Sequence, residues 1–157
     1  MRRSVEGRAR STSPRRTPVS RRGRVDGHLA NRSLSQSFLR DLDIRDAIVA
    51  AGGAGAGDTV LEIGPGLGVL TEGLLAGGAH VVAVELDRTL IPRLRDRFAA
   101  AIRGGQLELV EGDALQVDLA ALLADAPSWR VVANIPYHIT SPLLHRLLLL
   151  PKPADRI

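Results

Sequence analysis

From Thr59 to Ala133 the chain alternates short apolar runs with stretches of helical period, and this alternation restricts the fold more than any other feature. Thr59–Ile63, His80–Val84, Leu107–Val110 and Arg130–Ala133 read as strands. Between them run helical segments through Leu70, Leu74 and Leu75, through Leu90, Ile91, Leu94 and Phe98, and over Leu119–Leu123. Strand–helix–strand units join through right-handed crossovers, so the expectation is an α/β, Rossmann-like parallel sheet with helices on both faces. A helix should precede the first strand, capped by Asp41 or Asp43, with Ile44, Ala47, Ile48 and Ala51 on one face and Gly52 to Gly57 ending it. Asp87 reads as the cap of the third helix, with Pro92 near its first turn, where a missing N–H costs little. Pro142 is expected in the first turn of a closing Leu-rich helix, with Thr140 or Ser141 as its cap. Pro151–Ile157 reads as a loop delivering the first residue of a further strand. Four parallel strands ending there leave an apolar edge unpaired, as in the N-terminal part of a longer domain.

The 157 residues suffice for one domain with a core, and 45% hydrophobic against 3% aromatic content makes that core aliphatic. With no cysteine, disulfides, thiolate metal sites and cysteine nucleophiles are excluded. His28, His80, His138 and His145 lack paired ligand spacing, so no metal site is expected. No apolar run approaches the roughly 18 residues of a membrane span, and the chain reads as soluble, cytoplasmic and without a membrane partner. The net charge of +4 conceals an asymmetry, because residues 1–24 hold nine arginines and one glutamate. An Arg-rich arm over 1–26 is expected to be disordered, since it has too little apolar surface to offset its ordering entropy. It could grip phosphates; a solvated tail and an organelle transit segment are the other readings.

Gly64-x-Gly-x-Gly68 follows a strand and opens a helix, where glycines let backbone turn sharply and approach a ligand. The spacing is not the dinucleotide fingerprint, which disfavours a nicotinamide cofactor. Glu85 ends the second strand and can accept both hydroxyls of a ribose, or be a solvated strand end. Asp113, in Gly112-Asp-Ala114 after the third strand, can accept from an adenine amine, or cap a turn. No Lys or Arg lies near Gly64 to balance a pyrophosphate, so an adenosine ligand without one is indicated. S-adenosylmethionine fits, and its positive sulfonium suits the globule, because residues 25–157 carry a net charge of −4. Asn134-Ile-Pro-Tyr137 then follows the fourth strand. The Asn oxygen and a carbonyl beside the proline can accept from an exocyclic amine, and Tyr137 offers a stacking face for an extruded base. The plainer reading is a proline turn with an aromatic plug.

Ser35-Gln-Ser-Phe-Leu39, Val60-Leu-Glu-Ile-Gly-Pro-Gly-Leu-Gly68, Val84-Glu-Leu-Asp87, Glu111-Gly-Asp-Ala114 and Ala133–Pro142 occur in that order. From about Gly27 onward the chain resembles the ribosomal RNA adenine N6-dimethyltransferases of KsgA type, with the Erm resistance methylases as close relatives. Gly27-His-Leu-Ala and Thr140-Ser-Pro142 lean to the KsgA branch, and Ser35 to Erm. The resemblance implies an S-adenosylmethionine-dependent methyltransferase fold stopping after about four strands. Residues 27–157 would be its N-terminal part, without the later strands and the helical RNA-binding domain, and inactive alone. It implies methyl transfer to adenine N6 of ribosomal RNA, small-subunit RNA first, by a monomer. An Erm-type large-subunit methylase and a noncatalytic cofactor- or RNA-binding remnant are the alternatives.

By the same resemblance, Ser37 and Leu39 flank the methionine end of the cofactor, with Gly64 and Gly66 beneath it. Glu85 binds the ribose, Asp113 and Ala114 the adenine, and Asn134 bridges cofactor and target base. Asn134, Pro136 and Tyr137 carry the chemistry. The family usually has Asn or His where this chain has Ser37, and the shorter hydroxyl reaches less far. In-line displacement needs no strong general base, and for His138 a turn or RNA contact is preferred to proton transfer.

Overall fold

A computed structural model describes residues 41–157 and, ahead of them, one backbone pairing. In that pairing Arg24–Val25 (β1) runs antiparallel to His28–Leu29 (β2). The rest of the arm, and the segment carrying Ser37 and Leu39, lie outside the described residues.

The first described helix, α1 (Leu42–Gly52), starts where Asp41 Oδ1 accepts from the amides of Asp43 (2.9 Å) and Ile44 (3.4 Å). Its inner face is rotated from the expected one. Ile48 and Val49 reach the core, whereas Ile44 is 51% exposed and Ala47 and Ala51 also face out. Gly52 decides this, because a Cβ there would lie 2.7 Å from Val132 Cγ2, and the bare backbone forms the close contact.

The strands β3 (Thr59–Ile63), β4 (His80–Glu85), β5 (Leu107–Glu111) and β6 (Trp129–Ala133) form one sheet in the order β5-β4-β3-β6, every neighbouring pair parallel. The central strands are buried at every residue but His80, which explains why they read as near-continuous apolar runs. On one face Val60, Val81, Ala83 and Val132 meet Leu70 and Leu74 of α2 (Val69–Ala76) and Leu94 of α3 (Ile91–Arg97). On the other, Leu61, Val82, Val84 and Val131 meet Leu119 of α5 (Leu119–Leu122) and Leu143 and Leu147 of α6 (Tyr137–Leu148). A short α4 (Ala99–Arg103) follows α3 after Phe98. Each such side chain contributes ~1.5–3 kcal/mol on burial, so two filled faces hold the sheet. The doubly covered parallel sheet is the architecture the alternation predicted.

Two local expectations need correcting. Asp87 does not cap α3; its Oδ1 accepts from Thr89 N (2.9 Å) and Thr89 Oγ1 (2.7 Å), closing a turn ahead of the helix. Pro92 does sit in the first turn, and Leu90, Ile91, Leu94 and Phe98 are buried as expected. The closing helix begins at Tyr137, so Pro142 lies inside it and neither Thr140 nor Ser141 is its cap. Pro136, at φ −63° and ψ 142°, carries the extended strand end directly into the helix. Pro142 forfeits one helical N–H there, on a surface-exposed face.

Beyond α6 the chain returns to the sheet. Asp155 N donates to Trp129 O and Val131 N to Arg156 O, both at 2.8 Å, a parallel bridge on the outer edge of β6. Pro151–Ile157 thus delivers a strand-like residue as expected, but the outer edge of β6, expected to be unpaired, is bridged by it.

Candidate functional site

The strand order reverses between β3 and β6. β3 leads outward to β4 and β5, and the chain then returns to pair β6 with the other side of β3. Such a reversal leaves a crevice beyond the strand carboxyl ends, where α/β sheets bind ligands. Ile63 pairs with Ala133, so Gly64 and Asn134 leave neighbouring strands at the same level. The glycine turn and the Asn-Ile-Pro-Tyr segment are therefore side by side.

Gly64, Gly66 and Gly68 all have positive φ, of 68°, 61° and 81°. At Gly64 a Cβ would meet no described atom within 4 Å, so only backbone conformation demands glycine and the space above is open. Gly68 is closed instead, since its Cβ would lie 2.4 Å from the Phe98 ring. From α3, Arg97 donates to Leu67 O at 2.5 Å and to Glu72 at 3.0 Å, fixing the far side of the turn.

Glu85 is 5% exposed and is no solvated strand end. Its Oε2 accepts from Gly66 N (2.9 Å) and its Oε1 from Asp87 N (2.8 Å). Burial raises its pKa above the ordinary carboxyl value, opposed by the Asp87 and Gly66 N–H groups. Each oxygen keeps a lone pair for a further donor, as two ribose hydroxyls would require. Beside it, Gly112 N donates to Glu85 O at 2.9 Å, bringing the third strand's loop to the same tip. Asp113 has the capping bonds its alternative reading foresaw. Its Oδ1 accepts from Leu115 N (2.9 Å) and its Oδ2 from Gln116 Nε2 (2.8 Å). It is only half-buried, so lone pairs remain for an amine donor. Ala114 turns its methyl into the apolar cluster and gives its carbonyl to Arg146 Nη1 at 3.1 Å, and its N–H has no acceptor among the described residues.

Across the crevice, Asn134 is half-buried and its amide makes no hydrogen bond among the described residues. Pro136 O accepts from Ile139 N and Thr140 Oγ1, both at 3.3 Å, and so belongs to the helix start. Ile135 O has no donor among the described residues, and is the carbonyl beside the proline that stays open. Tyr137 is 98% exposed, so it plugs nothing. His138 is also exposed, in the first turn of α6.

Sequence reading passed over three residues that shape this site. Arg146 joins α6 to the Gly112–Val117 loop through Ala114 O and Val117 O, and no local motif marks it. Arg97 braces the glycine turn from 30 residues away. Glu62 left a signal, a lone acid in a run of apolar strand residues.

The donor and acceptor set fits S-adenosylmethionine: no described atom within 4 Å of a Cβ at Gly64 and a two-oxygen acceptor at Glu85, although Arg97 does reach the turn at Leu67 O, where the sequence pattern placed no cation. No described helix is long and apolar enough to cross a membrane.

Known proteins agree with this arrangement. Ribosomal RNA small subunit methyltransferase A of Geobacter sulfurreducens is 45% identical over 127 residues, 80% of this chain and 45% of the relative. That of Burkholderia multivorans is 49% identical over 128 residues, 78% of this chain and 45% of the relative. The chain thus spans about half the length of these relatives. Among solved structures, the 23S rRNA methyltransferase ErmE superposes with a TM-score of 0.62 at 30% identity, over 74% of this chain and 44% of that one. A dimethyladenosine transferase from Plasmodium falciparum gives 0.60 at 32%, over 75% and 40%. Residues 27–157 match the ribosomal RNA adenine dimethylase family, and the chain belongs to it.

Proposed function

We propose that this chain supplies the cofactor- and base-binding part of an S-adenosylmethionine-dependent enzyme that dimethylates adenine N6 in ribosomal RNA, in the small subunit. Residues 27–157 are the N-terminal part of its catalytic domain. It acts in the cytoplasm as a monomer. The observation that carries this reading is the departure of Gly64 and Asn134 from neighbouring strands at one level. A cofactor over the turn and a base on residues 134–137 would then meet. The small-subunit target is favoured over an Erm-type one because relatives named for the small subunit reach 45% and 49% identity, against 30% for ErmE.

When bound, S-adenosylmethionine supplies a sulfonium methyl for in-line transfer to the adenine amine. Glu85 holds the ribose, while Asp113 and the Ala114 N–H border the adenine. Ser37 and Leu39, outside the described residues, are assigned to the methionine end by the family resemblance alone. Asn134 Oδ1 and the backbone carbonyl beside Pro136 accept the two N–H bonds of the target amine. That aims its lone pair and draws it out of conjugation with the ring, so orientation supplies much of the rate. With Pro136 O engaged in the helix, the open Ile135 O is the carbonyl suited to this, and Pro136 sets its direction. Tyr137 stacks on the base, which the enzyme takes out of its RNA stack.

The test is to map methylated adenines in ribosomal RNA from cells with and without the gene for this chain. Loss of adenine N6 methylation confined to small-subunit RNA is expected. Loss confined to large-subunit RNA would select the Erm-type reading, and unchanged RNA would leave only cofactor or RNA binding.

A further inference from the structure

The crossover from β4 to β5 concentrates positive charge that the cofactor and base sites leave largely unused. Residues 88–103 hold five arginines and one aspartate, a balance of +4. The rest of 25–157 holds seven basic residues against fifteen acids, a balance of −8. Arg88, Arg93, Arg95, Arg97 and Arg103 are all exposed. Phe98 N donates to Leu94 O and Ile102 N to Phe98 O, so the helical ladder continues from α3 into α4. From Arg93 to Arg103 it covers ~15 Å, leading back from the strand tips toward the start of β5.

Two of the five are engaged within the fold. Arg97 holds Leu67 O and Glu72, and Arg88 pairs with Glu111 at 3.1 Å. Arg95 and Arg103 make no hydrogen bond or ion pair among the described residues. With His80 they border a groove of about 600 Å³ whose apolar lining includes Ile102 and Leu107. Its one acid among the described residues is Glu108. Helix carboxyl ends favour cations, which accounts for an arginine in the last turn of α3 and of α4. That preference explains neither Arg88 and Arg93 nor the groove. An acidic protein is the rival partner. Protein interfaces centre on aromatic or large apolar anchors, and no exposed large hydrophobic side chain lies between residues 88 and 111. β5 is also an edge strand carrying exposed Glu108 and Glu111, which discourage addition of a partner strand. Arginines without apolar anchors suit phosphates better.

We propose that Arg95 and Arg103, flanked by Arg88 and Arg93, form a phosphate-binding track that holds an RNA backbone along the β5 edge while a base is delivered to residues 134–137. The proposal deepens the ribosomal RNA reading and rests on it. β5 lies three strand spacings from β6, ~14 Å, which about four stacked nucleotides span. Such contacts carry no sequence information and fix register and orientation. The acidic remainder of the globule repels RNA, so the track also sets which way round the substrate lies.

The test is to titrate labelled small-subunit ribosomal RNA with the 157-residue chain at several salt concentrations. Replacing Arg95→Gln and Arg103→Gln together should make the slope of log affinity against log salt shallower by ~1.4–1.8, the loss of two phosphate contacts. Melting temperature and S-adenosylmethionine affinity should not change. The nine arginines of residues 1–24 are present in both chains, so their contribution cancels from the difference. In the unsubstituted chain, amide resonances of residues 88–111 should shift on adding RNA, a readout that stands even if the variant does not fold. RNA bound with an unchanged slope, or with shifts confined to other residues, would overturn the track and leave the methyltransferase reading intact. Polyglutamate shifting these resonances where RNA does not would give the groove to an acidic protein and overturn it as well. Absence of RNA binding overturns the track too, whereas the methylation map in cells judges the reading it rests on.

Discussion

The two sides of the switch point handle polar groups in opposite ways. On the β3–β4 side the acceptors are tied down, with both oxygens of Glu85 on backbone amides and its side chain 5% exposed. On the β6–α6 side they are open. Asn134 makes no hydrogen bond among the described residues, and Tyr137 is 98% exposed. Under the proposed function, the contrast follows from what each side would have to admit. A small cofactor meets a turn already shaped for it, so preorganisation strengthens binding. A base drawn from a folded RNA brings its own bulk, and its acceptors must stay uncommitted until it arrives.

The sharpest way to break this comparison is Asn134→Ala. Adenine methylation should fall by at least about 100-fold, ~3 kcal/mol of transition-state stabilisation, while calorimetric affinity for S-adenosylmethionine changes only a few-fold. Retained methylation would show that the open side is not where the amine is held. Gly68→Ala attacks the closed side. A side chain at φ 81°, 2.4 Å from the Phe98 ring, should cost ~2–4 kcal/mol of stability in denaturant titration. An unchanged midpoint would mean that Phe98 yields easily and the turn is less fixed than it looks. Glu85→Ala should weaken cofactor binding by ~1.5–3 kcal/mol, and equal affinity in calorimetry would remove the ribose assignment. Tyr137→Ala should reduce RNA affinity by ~1–3 kcal/mol with melting unaffected, because its ring buries nothing in the fold. A lower melting temperature would show the open side to be structural after all.

Most of the architecture could be read in the chain, because buried parallel strands leave apolar runs and crossover helices leave a different period. The four strands appear where those runs lie, and Gly64, Gly66, Gly68, Glu85 and Asn134 stand at strand ends as their motifs implied. The errors are local. Pro142 looked like a helix start because proline favours the first turn, but Pro136 had already set the geometry five residues before Ser141. Asp87 looked like a cap by type, yet the nearer Thr89 satisfied it. On α1, periodicity alone could not choose between an alanine face and one turned by Gly52 against Val132.

The sequence alone determined the order of strands and helices, the glycine turn, and which residue types end each strand, since these rest on periodicity, backbone freedom and side-chain chemistry along one stretch of chain. Only the tertiary structure decided which ends become neighbours and which groups stay free. Pairing β6 beside β3 brings residue 134 next to residue 64, commits Pro136 O to a helix, and seals Glu62 beneath the turn with a single donor. Those outcomes depend on sheet order and burial, and contacts between residues far apart in sequence set both.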